Sequence, residues 1–274
     1  MGTGRRKGLT LVTALGIAGM LATGLTGCAG DKDTTPTPPS SASPSPSKDS
    51  SSQSTRVVPK SCSSLDLDLG AEFAGEPLSQ CVAEALRSFG SGKEQVIGSN
   101  LDGTSGDLFG EIEFSYDPDF AMKGTLNPDT EAVSLTYIDG VMWIDSGQGL
   151  VKGDVGSSDP MEMITGQTAE LYRLFSDPSM TRDLIAANPS WVVDDAMALK
   201  DLPDGTQVEA YRIENAAPFT WQGIQVKEYI LWYAADWIPV GNLGGLEFEG
   251  LYSGTTTQTY YDLGQPVTIE PPVK

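Results

Sequence analysis

The side chains that carry most enzyme chemistry are scarce in this sequence. The chain contains no histidine, which excludes Ser-His-Asp and Cys-His catalysis and removes the commonest ligand of zinc and copper. Its three cysteines are Cys28, Cys62 and Cys81. Cys62 and Cys81 have no neighbouring base that would activate a thiolate nucleophile. The cysteines therefore indicate roles in structure and anchoring rather than in catalysis.

Carboxylates are plentiful, with 37 Asp and Glu residues, and composition alone leaves a glycosidase-like pair open. The tightest cluster in the predicted strand region is Asp194-Asp195. Adjacent residues of a strand point to opposite faces, so these two side chains would not share a site. The acidic stretch 102–107 has too few ligands at EF-hand spacing to bind calcium and predicts a turn. Because phosphate-binding glycine motifs are also missing, we predict a non-enzyme with no metal and no cofactor.

The amino terminus has the three-part layout of a secretory signal. Basic residues at positions 5–7 precede an uncharged apolar stretch, residues 9–25, which is shorter than the about 20 residues that a spanning helix needs. The sequence Leu25-Thr26-Gly27-Cys28 that follows resembles the bacterial lipobox. This resemblance implies a signal peptide over residues 1–27 and a lipidated Cys28. The alternative is an ordinary secreted protein with a chance cysteine near its cleavage site.

The predicted mature chain is strongly acidic. The whole chain has 17 Lys and Arg against 37 Asp and Glu, a net charge of −20. Loss of residues 1–27 would remove three of the bases and no acid, which makes the net charge −23. Such a surface repels nucleic acid and anionic lipid headgroups. We therefore expect no nucleic-acid partner. We expect acyl chains on Cys28 to hold the protein at the extracytoplasmic face of the cell membrane.

Residues 28–59 are predicted to form a disordered tether. From Thr34 to Ser54 the composition is dominated by Pro, Ser and Thr, and Ala42 is the one other apolar side chain. Such a segment cannot bury enough surface to offset its chain entropy. Residues 60–274 are long enough for one globular domain with its own core. Cys62 and Cys81 lie near its start, and an oxidising compartment predicts a disulfide between them, with two buried free thiols as the alternative.

The hydrophobic pattern of residues 60–274 predicts an α+β fold. Apolar residues recur at helical spacing over residues 78–89 and again from Pro160 to Phe175. Asp177-Pro178 is typical of an N-cap and first helical residue. Elsewhere the period is two, and Asp139-Gly140 between alternating runs predicts a hairpin with a type I′ turn. Since strands and helices do not alternate along the chain, the sheet should be antiparallel and the helices should form a separate layer.

Two segments give this domain a resemblance to a known family. The segments YIDGVMWIDSGQGLVKGD (137–154) and YYDLGQPVTIEPP (260–272), with a helical insert and long strands between them, resemble the mycobacterial LppX/LprG type of lipoprotein, which is related in fold to the LolA carrier. The resemblance implies a strongly curved antiparallel half-barrel that encloses helices or is covered by them, around an apolar cavity for a lipid or glycolipid. The chain departs from the family at Leu150, where a Trp is frequent. The family has no fixed ligand-binding residues to carry over.

The candidate cavity residues are therefore chosen by hydrophobic pattern. We expect Leu135, Tyr137, Val141 and Trp143 to share one face of the hairpin, because a two-residue turn fixes its register. The complete candidate set is Ile112, Phe114, Leu135, Tyr137, Val141 and Trp143. Two functions remain open: a lipid- or amphiphile-binding carrier, or an interaction or sensor module of the cell envelope with the same fold and a dry, collapsed core. The sequence identifies no protein partner.

Replacement of the lipobox cysteine tests the predicted anchor. We expect Cys28→Ala to move the protein from the detergent phase to the aqueous phase of a phase partition, because the thiol that would carry the acyl chains is lost. Immunoblotting of both phases measures the shift, with Cys62→Ala as a control that keeps Cys28. A Cys28→Ala protein that is still cleaved yet stays in the detergent phase would contradict the lipobox interpretation.

Overall fold

The computed structural model describes residues 57–100, 108–127, 129, 132–248 and 252–273. The lipobox, the tether up to residue 56 and the predicted turn at 102–107 lie outside the described residues. Within the described part, no helix has the length and apolar character needed to cross a membrane. In the same part of the chain, no cluster of three or more acidic or cysteine side chains is placed to hold a metal ion.

The described residues form three α-helices and fourteen strands. The helices are α1 (Gly75–Arg87), α2 (Pro160–Ser176) and α3 (Pro178–Ala186), and short 3₁₀ helices cover Lys60–Cys62 and Ala235–Trp237. The strands are β1 (Glu72–Ala74), β2 (Ser91–Asn100), β3 (Leu108–Ser115), β4 (Ala121–Leu126), β5 (Val133–Ile138), β6 (Val141–Asp145), β7 (Leu150–Lys152), β8 (Ser190–Val193), β9 (Ala198–Asp201), β10 (Gln207–Asn215), β11 (Phe219–Trp221), β12 (Ile224–Ala234), β13 (Ile238–Phe248) and β14 (Tyr252–Tyr261).

All these strands belong to one antiparallel sheet. Their order is β1-β8-β10-β12-β13-β14-β2-β3-β4-β5-β6-β7, with β11 paired to β12 and β9 paired to β10. The sheet is curved and open, since its order ends at β1 on one side and β7 on the other. The predicted fold class, α+β with a curved antiparallel sheet and helices on it, is therefore confirmed.

Local features of the strands accommodate the curvature. The pairing of β12 with β13 shifts register between Val226 and Glu228 and again between Trp232 and Tyr233, and such bulges bend a strand and increase its twist. Gly124 allows the backbones of β3 and β4 to approach each other closely, because a Cβ at this position would lie 2.5 Å from the Glu111 carbonyl oxygen on β3. A larger residue would push β3 and β4 apart, which is why a glycine occupies a strand interior here.

The two faces of the sheet bury cores of very different size. The inner face, defined by Ile112 on β3 and Leu135 on β5, packs in one large core with residues of α1 and α3 such as Leu78 and Ile185. A second, smaller core lies on the opposite, outer face around Trp232. The helices thus form a separate layer on the inner face, where any site between sheet and helices must lie.

Two local predictions are confirmed and one is wrong. Asp139 and Gly140 both have positive φ, 53° and 76°, as a type I′ turn requires, and Asp177 caps α3 by accepting a hydrogen bond from the Ser179 N–H at 2.8 Å. Asp194-Asp195, however, lies between β8 and β9 instead of inside a strand. The strand ends there, and the Asp194 carboxylate accepts a hydrogen bond from the Asp195 N–H at 2.7 Å, a local contact that competes with strand pairing.

A disulfide joins Cys62 and Cys81 with an S–S distance of 2.06 Å. Cys62 belongs to the short 3₁₀ helix at the start of the domain, and Cys81 lies on the buried face of α1. The bond therefore ties the segment at the start of the domain to the helix layer. A second contact supports this junction, since the Ser61 hydroxyl donates to the Glu84 carboxylate at 2.6 Å.

Reduction of this disulfide should destabilise the domain. A loop closed by residues 19 apart is worth about 3 kcal/mol through the entropy of the unfolded chain, which corresponds to a fall in Tm of roughly 6–12 °C. Thermal unfolding of the exported protein with and without reductant measures the effect. The Cys62→Ala/Cys81→Ala protein is the control and should not respond to reductant. Two thiols labelled in the oxidised protein would show that the bond does not form.

Candidate functional site

The hairpin of β5 and β6 splits the predicted cavity residues between two faces. Its register pairs Tyr137 with Met142 and Thr136 with Trp143. Directly opposed residues share a face, so Leu135 and Tyr137 point inward while Val141 and Trp143 lie on the other face. The prediction of one common face was therefore wrong. Because the turn has two residues, each odd-numbered residue of β5 lies opposite an even-numbered residue of β6. Met142 and Ile144 therefore take the inward positions.

Four of the six candidates do come together on the inner face. Ile112 and Phe114 are fully buried, Leu135 is 1% exposed and Tyr137 is 9% exposed. They lie in two cross-strand rows, because Gly124 pairs with both Ile112 and Leu135, and Met122 pairs with both Phe114 and Tyr137. Trp143 is half-buried outside these rows, with the Lys152 ammonium 5.8 Å from its ring centroid.

An aromatic column, defined as Phe114, Tyr116, Phe120 and Tyr137, extends these rows toward the protein surface. The ring centroids of successive members lie 5.0, 6.1 and 5.6 Å apart. Phe114 is completely buried, whereas Phe120 is only half-buried. Tyr116 and Phe120 were not among the sequence candidates. Tyr116 continues the alternation of β3 that places Ile112 and Phe114 on the inner face, so its direction could have been predicted. Phe120 follows a turn, and no periodic pattern indicates which way its side chain points.

The column ends at an open pocket of about 380 Å³, here called the mouth. The mouth lies between the β5–β6 turn, the segment before β4 and the junction of α2 with α3. Its lining residues are Asp119, Phe120, Tyr137, Asp139, Gly140, Arg173 and Asp177. A volume of this size is at the lower end for small-molecule pockets. Four of the seven lining residues are charged, so the mouth itself is mainly polar.

Asp177 organises the helical side of the mouth. Its backbone N–H ends α2 by donating to the Arg173 carbonyl at 2.8 Å, while its side chain begins α3 by capping Ser179. The same carboxylate accepts from the Arg173 guanidinium at 3.0 and 2.6 Å. That guanidinium also lies 5.6 Å from the Tyr137 ring centroid. Arg173 therefore bridges the helix junction and the aromatic column.

A buried polar cluster, defined as Glu94, Ser176, Gln258, Asn242 and Tyr260, lies beneath this junction. Glu94 on β2 is fully buried, and its carboxyl accepts hydrogen bonds from the Ser176 hydroxyl and, at 3.1 Å, from the Gln258 amide. The Asn242 amide donates to the Tyr260 hydroxyl at 3.1 Å. Next to the cluster, the Tyr116 hydroxyl donates to the Ser176 carbonyl at 3.0 Å. The end of α2 is thus held onto the sheet by polar contacts.

The environment of Glu94 favours the neutral acid. Burial raises the pKa of its carboxyl to about 8, although the hydrogen bonds from Ser176 and Gln258 favour the charged form and act in the opposite direction. Burial also raises the pKa of Tyr116 and of Tyr260, and the nearby carboxyl of Glu94 adds to both shifts. No sequence pattern indicates this cluster, because Glu94 lies in a strand whose neighbouring polar residues, Lys93 and Gln95, are only partly buried.

The raised pKa of Glu94 predicts how stability depends on pH. Between the unfolded value near 4.5 and the folded value of about 8, the folded protein binds more protons than the unfolded chain. Its free energy of unfolding should therefore fall as pH rises from 5 to 8, by at most about 1.4 kcal/mol per pH unit. Glu94→Gln removes the titrating group while keeping an amide that can form hydrogen bonds. The free energy of unfolding of Glu94→Gln, minus that of the native protein, should therefore increase steadily from pH 5 to pH 8.

Urea unfolding at pH 5, 6, 7 and 8 measures this difference. Glu209→Gln, at an exposed position of β10, is the matched control and should keep a constant difference from the native protein. A constant difference for Glu94→Gln as well would show that Glu94 is not held as a neutral acid.

Comparison with known proteins gives distant structural matches. No protein-family model matches the chain, and no curated protein matches it. Among solved structures the chain is similar to LprF from Mycobacterium bovis, with 14% identity over 74% of this chain and 100% of that chain and a TM-score of 0.39. It is also similar to a DUF1329 family protein from Desulfovibrio piger, with 9% identity over 71% of this chain and 96% of that chain and a TM-score of 0.30.

A third match is an outer membrane lipoprotein-sorting protein domain from Vibrio parahaemolyticus, with 10% identity over 66% of this chain and 89% of that chain and a TM-score of 0.23. Solved structures similar in fold to this chain thus include LprF and an outer membrane lipoprotein-sorting protein domain.

Proposed function

We propose that this protein is a membrane-anchored lipoprotein of the cell envelope that binds the apolar chain of a lipid or other amphiphile between its sheet and its helices. The observation that carries the proposal is the aromatic column, which leads from the fully buried Phe114 to the half-exposed Phe120 at the mouth. The lipobox at Cys28 and the tether that follows it support a position next to a bilayer. A carrier or transfer role follows from these two features together.

Burial alone would drive binding, without a covalent step. Burial of each methylene group stabilises the complex by about 0.8 kcal/mol. The affinity for an acyl chain that enters beside the column therefore increases with the length of that chain. The aromatic rings provide flat apolar surfaces, and Met122 and Met142 on the inner face can adapt to an irregular chain. The polar end of the amphiphile would stay at the mouth, among the charged groups that line it.

A chain can enter the inner face only if the helix layer moves, because the inner-face side chains are already packed. The covering element near the mouth is α2, which contacts β6 and β7. Its first half is joined to the preceding loop by close backbone packing, since a Cβ on Gly166 would lie 2.7 Å from the Val155 nitrogen. Its last turn is joined to α3 by the Arg173–Asp177 ion pair and to β2 by the Ser176–Glu94 hydrogen bond, and Leu174 packs against the core. We infer that the α2–α3 junction is the part of the helix layer that moves away from the sheet when a chain enters.

The packed inner face also supports the alternative function. Ile112, Phe114, Leu135, Met122 and Met142 are each at most 1% exposed, as expected for an interaction or sensor module with a dry core. In that case the column would be ordinary core packing, and the mouth would be a surface depression. A binding measurement separates the two functions, because only a carrier takes up an apolar molecule.

Binding of an environment-sensitive apolar dye, such as N-phenyl-1-naphthylamine, tests the proposal. The protein should enhance the dye emission with a saturable curve, and Phe120→Ala should weaken the dye affinity by roughly fivefold, the worth of about 1 kcal/mol of aromatic contact. Trp143→Ala removes an aromatic ring of similar size from the other face and is the matched control, with no expected change. Absence of saturable binding, or equal loss in both variants, would favour the module without a ligand.

A further inference from the structure

We propose that the mouth and the buried polar cluster select amphiphiles by the charge of their polar end, accepting a cationic amine and rejecting a carboxylate or phosphate. The inference rests on the proposed function and concerns which class of ligand the site takes. Two separate observations lead to it: the balance of charges that line the mouth, and the nature of the polar groups beneath the helix junction.

The charges of the mouth favour a cation. Three carboxylates, Asp119, Asp139 and Asp177, line it together with a single cation, Arg173. Arg173 and Asp177 neutralise each other through two hydrogen bonds, which leaves the exposed Asp119 and Asp139 to face an entering ligand. An anionic group that approached the guanidinium would meet the like charges of Asp119 and Asp139 and the Asp177 carboxylate beside it.

The aromatic lining of the mouth is also suited to a cation. The Arg173 guanidinium already lies 5.6 Å from the Tyr137 ring centroid, so this lining holds one positive charge against the face of a ring. Phe120 provides a second ring at the edge of the pocket, 5.6 Å from Tyr137. Acidic side chains beside aromatic faces form the arrangement that recognises ammonium groups in proteins.

The cluster beneath the junction favours the same sign of charge. Glu94 accepts both of its hydrogen bonds from neutral donors, Ser176 and Gln258. When the α2–α3 junction moves away from the sheet, the Ser176–Glu94 hydrogen bond breaks and the Glu94 carboxyl loses one donor. An ammonium group can replace that donor and stabilise the carboxylate form of Glu94, which it would pair with directly. A ligand carboxylate would find another acid there and no positive partner.

The charged and titratable groups around Glu94 include more acids than bases. Tyr116, Tyr229 and Tyr260 each have a pKa raised by burial and further by Glu94. Asp177 at the start of α3 adds to the shift of Tyr116, and Arg87 at the end of α1 acts on Tyr116 in the opposite direction. The groups that act on Tyr116 thus include two carboxyl groups, Glu94 and Asp177, and one base, Arg87, and this balance favours a cation that reaches the cluster over an anion.

Competition among three amphiphiles of equal chain length tests the selectivity. The full chain carrying Cys28→Ala, which has no acyl group of its own, is loaded with the naphthylamine dye at pH 7. Dodecylammonium, dodecanol and dodecanoate then compete with the dye below their micelle concentrations. We expect dodecylammonium to displace the dye at a concentration about tenfold lower than dodecanoate, with dodecanol between them.

Charge-neutral variants assign the selectivity to these residues. Asp119→Asn/Asp139→Asn should reduce the tenfold ratio to about threefold or less while dodecanol competes as before. Glu94→Gln should reduce it as well. Glu72→Gln/Glu209→Gln, which removes two exposed charges from β1 and β10 at the far end of the sheet order, is the matched control and should keep the ratio.

The outcomes separate the two proposals. If dodecanol displaces the dye but dodecylammonium and dodecanoate are equivalent, the protein binds amphiphiles and the selectivity is wrong. A ratio that falls equally in the control pair would mean that net charge, rather than the site, sets the preference, and this too overturns the inference. If the dye does not bind at all, the proposed function fails and the selectivity fails with it.

Discussion

The whole structure depends on the need to cover the inner face of an open, curved sheet. Strands from β2 to β6 place fully buried apolar residues such as Ile112, Phe114 and Leu135 on that face. A closed barrel would fill its interior from all sides, but this sheet ends at β1 and β7. The helices must therefore supply the second side of the core, and burial of this apolar area is the main source of stability.

The three helices cover the face in different ways. The disulfide between Cys62 and Cys81 fixes α1 to the segment that follows the tether, and α1 packs against α3. α2 reaches the opposite end of the sheet, where it contacts β6 and β7. Its last turn is held by the polar contacts of Arg173 and Ser176. Leu174 in the same turn also packs against the core. A polar contact stabilises less than the burial of a large apolar side chain, so we infer that the polar contacts of this turn are the ones that open.

The proposed function uses this difference in strength. A site that must admit a chain needs one element that can move while the rest of the fold stays intact. The junction at Asp177 fits that need, because one residue ends α2, begins α3 and holds Arg173 over Tyr137. Beneath it, Glu94 places an ionisable group in the buried interior, where its hydrogen-bond donors are the neutral Ser176 and Gln258. Such a group costs stability when it is charged without a partner, and a ligand amine would offset that cost.

Much of the local structure could be predicted from short stretches of sequence. The turn at Asp139-Gly140 and the cap at Asp177-Pro178 are set by the backbone preferences of those residues. The face of α1 that carries Cys81 follows from the spacing of its apolar residues. Antiparallel pairing followed from the lack of strand–helix alternation. In each case the interactions involve residues close together in the chain, and the physical rule that governs them is visible in a window of a few residues.

The site itself was decided by the tertiary structure. Glu94 and Ser176 are 82 residues apart, and Glu94 and Gln258 are 164 residues apart, so no local pattern indicates that they meet. Phe120 joins the aromatic column through a turn whose direction depends on the packing of β3 and β4. The face of Trp143 depends on the register of its hairpin, in which a single residue reverses inside and outside. By itself the sequence determined which segments form strands, turns and helices. Only the curvature of the sheet and the docking of α2 decided which side chains share the interior, because burial depends on contacts between segments that are distant in sequence.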